Sequence, residues 1–200
     1  MIVLGLTGGI ASGKSTVSKR LVDAHNAVMI DADAVAFELA EPHMPLWDNY
    51  VKRYGAEVAL NDNGTLNRDK IGEIVFSDAK ERQWMDEMAH PLIKAEILSR
   101  LEKLKINNCK IVVLDVPLLF EVHWDKMCDI IWLVYVDMKT QLARLMARND
   151  YTYEIACQRI AAQMPMEKKK ALADVVIDNN GSIEKTLQFV DEEWAKINNF

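Results

Sequence analysis

Five short runs of the chain are apolar almost throughout and rich in valine and isoleucine: Ile2–Leu6, Ala27–Ile30, Ile111–Val116, Ile130–Val136 and Val175–Ile177. None of them alternates apolar with polar positions. That pattern predicts strands covered on both faces, as in a parallel sheet flanked by helices. Helical spacing fills the intervals. Lys14–Asp23 sets Val17, Leu21 and Val22 on one side, and Ser182–Ile197 sets Ile183, Leu187, Val190 and Trp194 in register behind Ser182, a suitable N-cap. Strands alternating with helices predict an α/β architecture with helices on both faces of the sheet.

Two stretches break this rhythm. From about Glu38 to Asn108 the pattern predicts successive helices, with Asn61-Asp-Asn-Gly64 as a turn, inserted between the second and third strands. Within it, His90-Pro91 reads as a helix boundary, because proline disfavours helix in the residue before it. The second excursion, Lys139–Lys170, is also helical. It carries Lys139, Arg144, Arg148, Arg159, Lys168, Lys169 and Lys170 against three acidic residues, a local excess of +4 on a chain of net charge −6. That contrast predicts a basic lid that meets an anionic ligand.

The remaining composition narrows the function class. Two hundred residues, half of them hydrophobic, suit one domain with an insertion. The acidic balance argues against a general nucleic-acid or membrane-surface binder. Cys109, Cys128 and Cys157 are odd in number and form no CxxC pair, which predicts reduced thiols rather than a disulfide or zinc framework. The apolar start lacks a basic n-region, and no apolar run approaches the roughly 20 residues of a membrane span. The expectation is a cytoplasmic protein without nucleic acid, membrane or obligate protein partner. The four histidines show no metal-ligand spacing, and the five tryptophans are scattered, so both read as packing positions.

The chemistry starts at Gly8-x-x-x-x-Gly13-Lys14-Ser15. A triphosphate must be desolvated and held, and backbone N–H groups hold it when the chain curls tightly, which needs glycine's tolerance of positive φ. The helix that follows presents its partly positive N-terminus to the same anion. Lys14 then reaches the β- and γ-phosphates and the Ser15 hydroxyl suits Mg²⁺. Gly8, Gly9, Ala11, Ser12, Gly13 and Thr16 complete the candidate loop. Four of the eight glycines fall between residues 5 and 13, preceded by a strand and followed by a helix, as such a loop requires.

Acids at strand ends come next. Asp31 and Asp33 lie where the second strand stops, the edge at which open α/β sheets bind ligands. From position alone, either could orient an attacking hydroxyl and accept its proton while the other caps the following helix. Asp115 closes Ile111-Val-Val-Leu-Asp115, a Walker-B-like pattern suited to Mg²⁺ through water. Arg144 and Arg148 are four apart and share a helix face, with Arg159 further along the lid. Guanidinium forks match phosphate oxygens, and an arginine on a closing lid stabilises charge in phosphoryl transfer.

These residues resemble the dephospho-coenzyme A kinase family. The resemblance opens at Leu6-Thr-Gly-Gly-Ile-Ala-Ser-Gly-Lys-Ser-Thr16 and continues through Ile30-Asp-Ala-Asp33, Gly64-Thr-Leu-Asn-Arg68, His90-Pro-Leu-Ile93 and Asp115-Val-Pro-Leu-Leu-Phe-Glu121. It resumes at Gln141-Leu-Ala-Arg-Leu-Met-Ala-Arg148 and Arg159-Ile-Ala-Ala-Gln163, and ends at Ala173-Asp-Val-Val-Ile-Asp-Asn179. It implies a three-layer P-loop NTPase fold with about five parallel strands. It divides the chain into a core of 1–37, 110–138 and 171–200, a helical acceptor-binding insertion at 38–109 and a lid at 139–170. It implies transfer of the ATP γ-phosphoryl to the ribose 3′-hydroxyl of dephospho-CoA, with Mg²⁺ and no tightly bound organic cofactor. By the same resemblance Asp33 is the acid near that hydroxyl and Arg148 the lid arginine near the phosphates. Asn179 falls near the adenine pocket, and Arg68 and His90 belong to acceptor binding. Trp84-Met85, where a smaller aliphatic residue is common, and Asn149-Asp150, where Arg-Asp is common, are mild departures. The alternatives are a kinase for a nucleoside monophosphate or other small metabolite, and a GTP-operated switch. The second is disfavoured, because no Asn-Lys-x-Asp or Thr-Lys-x-Asp base-reading motif occurs.

Overall fold

All five apolar runs form strands in the computed structural model, which describes residues 1–198. The strands are β1 (Ile2–Gly8), β2 (Val28–Asp31), β3 (Ile111–Asp115), β4 (Ile130–Tyr135) and β5 (Val175–Asp178). They make one parallel sheet in the order β2-β3-β1-β4-β5. β1 lies between β3 and β4, with Leu6 opposite Asp115 on one side and Gly8 opposite Val134 on the other. β5 pairs with β4, Tyr135 opposite Asp178. The carboxyl ends of β1, β3 and β4 thus come level beside the turn that leaves Gly8.

Ten α-helices and one short 3-10 helix lie between and after the strands among the described residues. The chain divides into two compact units, one of residues 1–29 and from 105 onward, the other Ile30–Leu104. In the first unit, α1 (Lys14–His25) and α10 (Ile183–Asn198) cover one face of the sheet. Leu4, Leu6, Val113, Trp132, Val134 and Ile177 pack there against Val17, Leu21, Val190 and Trp194. On the other side, Leu133 and Tyr135 pack with Met166 of α9 (Met166–Leu172). Burial from both sides is the reason these strands carry no polar alternation. α7 (Met138–Asn149) and α8 (Tyr153–Ala161) complete the basic excursion, capped by Asp137 and Thr152 side chains.

α1 and α10 are also tied by charge. Arg20 donates to both carboxylate oxygens of Asp191, at 3.0 and 2.6 Å, and His25 lies 2.7 Å from the same carboxylate. The Arg20 guanidinium, then His25, hold the Asp191 carboxyl down at about 2. A depressed folded-state value means stability that is present above the unfolded pKa near 4 and is lost as pH falls through 2. Asp191→Asn is expected to lower stability at pH 7 by about 1 kcal/mol, the pair being partly exposed and screened. The gap from the parent protein should close between pH 4 and 2, as urea titrations at several pH values will measure.

The second unit is helical: α2 (Ala32–Leu39), α3 (Pro45–Tyr54), α4 (Ala56–Ala59), α5 (Arg68–Ser77) and most of α6 (Ala79–Ile106). Asn61–Gly64 is a turn closed by Gly64 N–H to the Asn61 carbonyl at 2.9 Å. Trp84 packs edge-on against Tyr50 and Tyr54, with Arg53 over its ring at 5.2 Å. The bulky residue at this departure from the family pattern is therefore matched by an aromatic cluster on α3. The expected helix boundary at His90-Pro91 is wrong. α6 runs unbroken through Pro91 for 28 residues. Proline removes one N–H and costs roughly 3 kcal/mol in a helix interior. The buried stripe Ala89, Ile93, Ile97 and Leu101 continues at four-residue spacing on both sides of it and keeps the helix whole.

Candidate active site

The glycine-rich turn after β1 takes the conformation its composition requires. Gly13, the residue before α1, has φ of +90°, and Ala11 also lies at positive φ. A side chain at Gly13 would collide with the Asn179 amide, so both backbone angle and space demand glycine there. The turn is closed by Ser12 N–H to the Gly9 carbonyl at 3.1 Å and Thr16 N–H to the Gly13 carbonyl at 3.0 Å. Gly13 offers no side-chain cap to α1, and helix N-termini of this kind are where anions bind. The Ser12 hydroxyl is buried without a hydrogen-bond partner among the described residues, a polar atom awaiting one. Ser15, one residue past Lys14, is exposed.

Lys14 and Asp115 meet across the strand ends. The Lys14 ammonium donates to Asp115 Oδ1, and the Ser18 hydroxyl donates to Asp115 Oδ2 at 2.6 Å. The carboxylate is only 4 % exposed, so its charge is held by these two donors instead of water. Among the described residues no three His, Cys, Asp or Glu side chains gather to hold a metal. Ser15 and the Asp115 carboxylate carry oxygen, the donor type that hard divalent ions take.

Side chains from later elements reach the same loop. Asn179, just after β5, is buried, donates from Nδ2 to the Ser12 carbonyl at 2.8 Å and accepts from the Thr186 hydroxyl at 3.0 Å. Arg144 of α7 donates to the Asn179 carbonyl at 2.9 Å. The three arginines expected in the lid are thus separated. Arg144 stands beside the loop, while Arg148 is exposed with its Nε on Asn149 Oδ1, and Arg159 lies over the Tyr151 ring at 5.9 Å. Lys169, one of the residues behind the basic excess, is fully buried, 2.8 Å from Glu121 and 3.0 Å from the Pro117 carbonyl. Its charge is already matched.

In the helical unit, Asp31 rather than Asp33 is the helix cap. Asp31 Oδ1 accepts from the N–H groups of Asp33 and Ala34, at 2.8 and 3.3 Å. Asp33 lies exposed in the first turn of α2. Arg68 sits over the Phe37 ring at 4.2 Å, and His90 stands 3.7 Å from Asp86 one turn earlier. Reading the sequence missed the bracing side chains Ser18, Asn179 as a loop contact, and the Lys169–Glu121 pair. A Lys-Lys-Lys run gives no sign that its middle member is buried.

A phosphate loop with its lysine on a strand-end aspartate, in a parallel sheet of this order, defines a P-loop kinase. Shikimate kinase from Aquifex aeolicus shares the fold at a TM-score of 0.53 and 14% identity, with 97% of this chain covered and 96% of that one. A family model for dephospho-CoA kinase matches residues 2–185. The dephospho-CoA kinase of Oceanobacillus iheyensis is 42% identical over 98% of each chain. The solved dephospho-CoA kinase from Campylobacter jejuni superposes with a TM-score of 0.75 at 25% identity, covering 98% of this chain and 96% of that one. The chain belongs to the dephospho-CoA kinase family. The activity is phosphorylation of the ribose 3′-hydroxyl of dephospho-CoA by ATP, with a divalent metal, to give CoA and ADP, the last step of coenzyme A synthesis. Among the described residues no helix is long and apolar enough to cross a membrane.

Proposed function

We propose that the loop Gly8–Thr16 holds the ATP phosphates and that Asp33 receives the acceptor's 3′-hydroxyl. The observation that carries this reading is the Lys14–Asp115 contact at the carboxyl edge of the sheet, beside the glycine turn that opens α1. Lys14 leaves Asp115 for the β- and γ-phosphates and follows charge onto the bridging oxygen as the bond breaks. Ser15, with Asp115 through water, would hold Mg²⁺, which would neutralise charge on the phosphates. Asp33 aligns the 3′-hydroxyl and takes its proton, while ADP leaves with the cleaved P–O electron pair. Arg144, Arg148 and Arg159 serve as lid cations, with Arg148 the one that reaches the transferred group. Asn179 borders the adenine site, and Arg68 and His90 contact the acceptor within the helical unit. No organic cofactor or protein partner is needed for these steps, and a reducing cytoplasm suits the three free thiols.

The lid arginines test this reading. Arg148→Lys keeps the charge and loses the planar fork, so kcat should fall more than the KM for ATP rises, the mark of a contact made in the transition state. Arg144→Lys should be milder, because its bond to the Asn179 carbonyl is a single one that an ammonium can also make. Steady-state kinetics on both variants decides it. Parental turnover in Arg148→Lys would return that residue to a solvated helix face.

A further inference from the structure

We infer that Gln141 and Gln163 are positioning residues that set the phosphate loop from behind, by gripping the two peptide groups on either side of Ile10. The inference rests on the reading that this loop holds the ATP phosphates. Gln141 is in the first turn of α7 and is 3 % exposed. Its Nε2 donates to the Ile10 carbonyl at 2.8 Å. Gln163 lies between α8 and α9, and its Oε1 accepts the Ile10 N–H at 2.8 Å. The backbone fixes which atom of each amide is donor and which acceptor, because an N–H only donates and a carbonyl only accepts.

The consequence follows from peptide planarity. In a trans peptide the C=O and the next N–H point in opposite directions. With the Ile10 carbonyl turned to Gln141, the Ala11 N–H is turned away from it. With the Ile10 N–H turned to Gln163, the Gly9 carbonyl faces the other way and accepts the Ser12 N–H at 3.1 Å, closing the loop. Two soft peptide planes are thus set before any phosphate arrives. N–H groups that converge on one point repel each other, so an unheld loop would relax by rotating such a plane and would lose a donor. The packing behind the loop agrees. A side chain at Gly9 would lie 2.6 Å from Gln141 Nε2 and 2.7 Å from Met166 Sδ. Gly9 is therefore required by the grip as well as by the turn.

The two glutamines should respond oppositely to one substitution. Gln163→Glu keeps an acceptor for the Ile10 N–H, whereas Gln141→Glu removes the donor and sets a carboxylate against a carbonyl. Gln141→Met and Gln163→Met remove each bond at similar size. Each methionine variant is expected to lose about tenfold in kcat/KM for ATP, the value of one hydrogen bond, with the KM for dephospho-CoA within about twofold of the parent. Gln163→Glu should recover activity relative to Gln163→Met, and Gln141→Glu should be worse than Gln141→Met. Equal responses of the two glutamate variants would overturn the inference. So would parallel losses for both substrates with a falling Tm, which a merely loosened fold would give. Lys14→Ala is run beside them. If it keeps its turnover, the loop reading fails and this inference with it. If it is inactive while every glutamine variant matches the parent, this inference alone fails.

Discussion

Lys14→Ala will fold and will not turn over. On the proposed reading the β- and γ-phosphates lose the loop's point charge, and the loss of a single preorganised donor of this kind costs about 10²–10³ in kcat. The structure adds a check on the fold. Asp115 is buried, and removing its ammonium partner would strand a carboxylate, but the Ser18 hydroxyl still donates to Oδ2 at 2.6 Å. The melting transition should therefore remain single and cooperative, with a modest fall in Tm. Near-parental turnover in a folded Lys14→Ala protein would remove the phosphate-loop assignment.

Asp33→Asn keeps the shape of the side chain and removes the acceptor for the hydroxyl proton. A positioned base contributes about 10²–10⁴ in rate, and kcat is expected to fall by that much while ATP binding, followed by calorimetry, stays as in the parent. Asp31 supplies the contrast. It caps α2 through the N–H groups of Asp33 and Ala34, and asparagine caps a helix nearly as well as aspartate, so Asp31→Asn should be close to neutral. The reverse pattern, a loss of less than roughly fivefold in Asp33→Asn with a crippled Asp31→Asn, would mean that the wrong acid has been assigned.

How much of this was legible in the sequence depends on the kind of signal each residue leaves. The strands were readable because burial on both faces writes an unbroken apolar run, and β3 and β5 differ from the expected spans by a residue at most. The phosphate loop was readable because glycine spacing, a lysine and a hydroxyl are all demanded at fixed positions. Pro91 was misread because local proline chemistry was weighed without the stripe Ala89–Leu101 that carries α6 past it. From position alone Asp31 and Asp33 were undecided, the family resemblance chose Asp33 for the hydroxyl, and the hydrogen bonds make Asp31 a cap of α2. Gln141, Gln163 and Asn179 gave no chemical sign of their role, since an amide that grips a loop backbone looks in sequence like any other polar residue. Lys169 was read with the solvated lid charges, and only its burial against Glu121 reveals that it offers nothing to a ligand.

The Lys14–Asp115 contact also bears on which anions the loop will accept. An incoming phosphate that draws Lys14 away leaves a carboxylate only 4 % exposed with no cation beside it, an arrangement that low-dielectric surroundings penalise by several kcal/mol. On the proposed reading, a ligand that brings its own divalent counter-ion would relieve that penalty in the same event, the aspartate trading one cation for another. Bare phosphate, sulfate or metal-free nucleotide has nothing to trade. If the loop holds the ATP phosphates as proposed, the resting pair would act as an ion exchanger at its mouth, favouring anions that carry a divalent ion over simple ones without any contact that reads the base or the sugar.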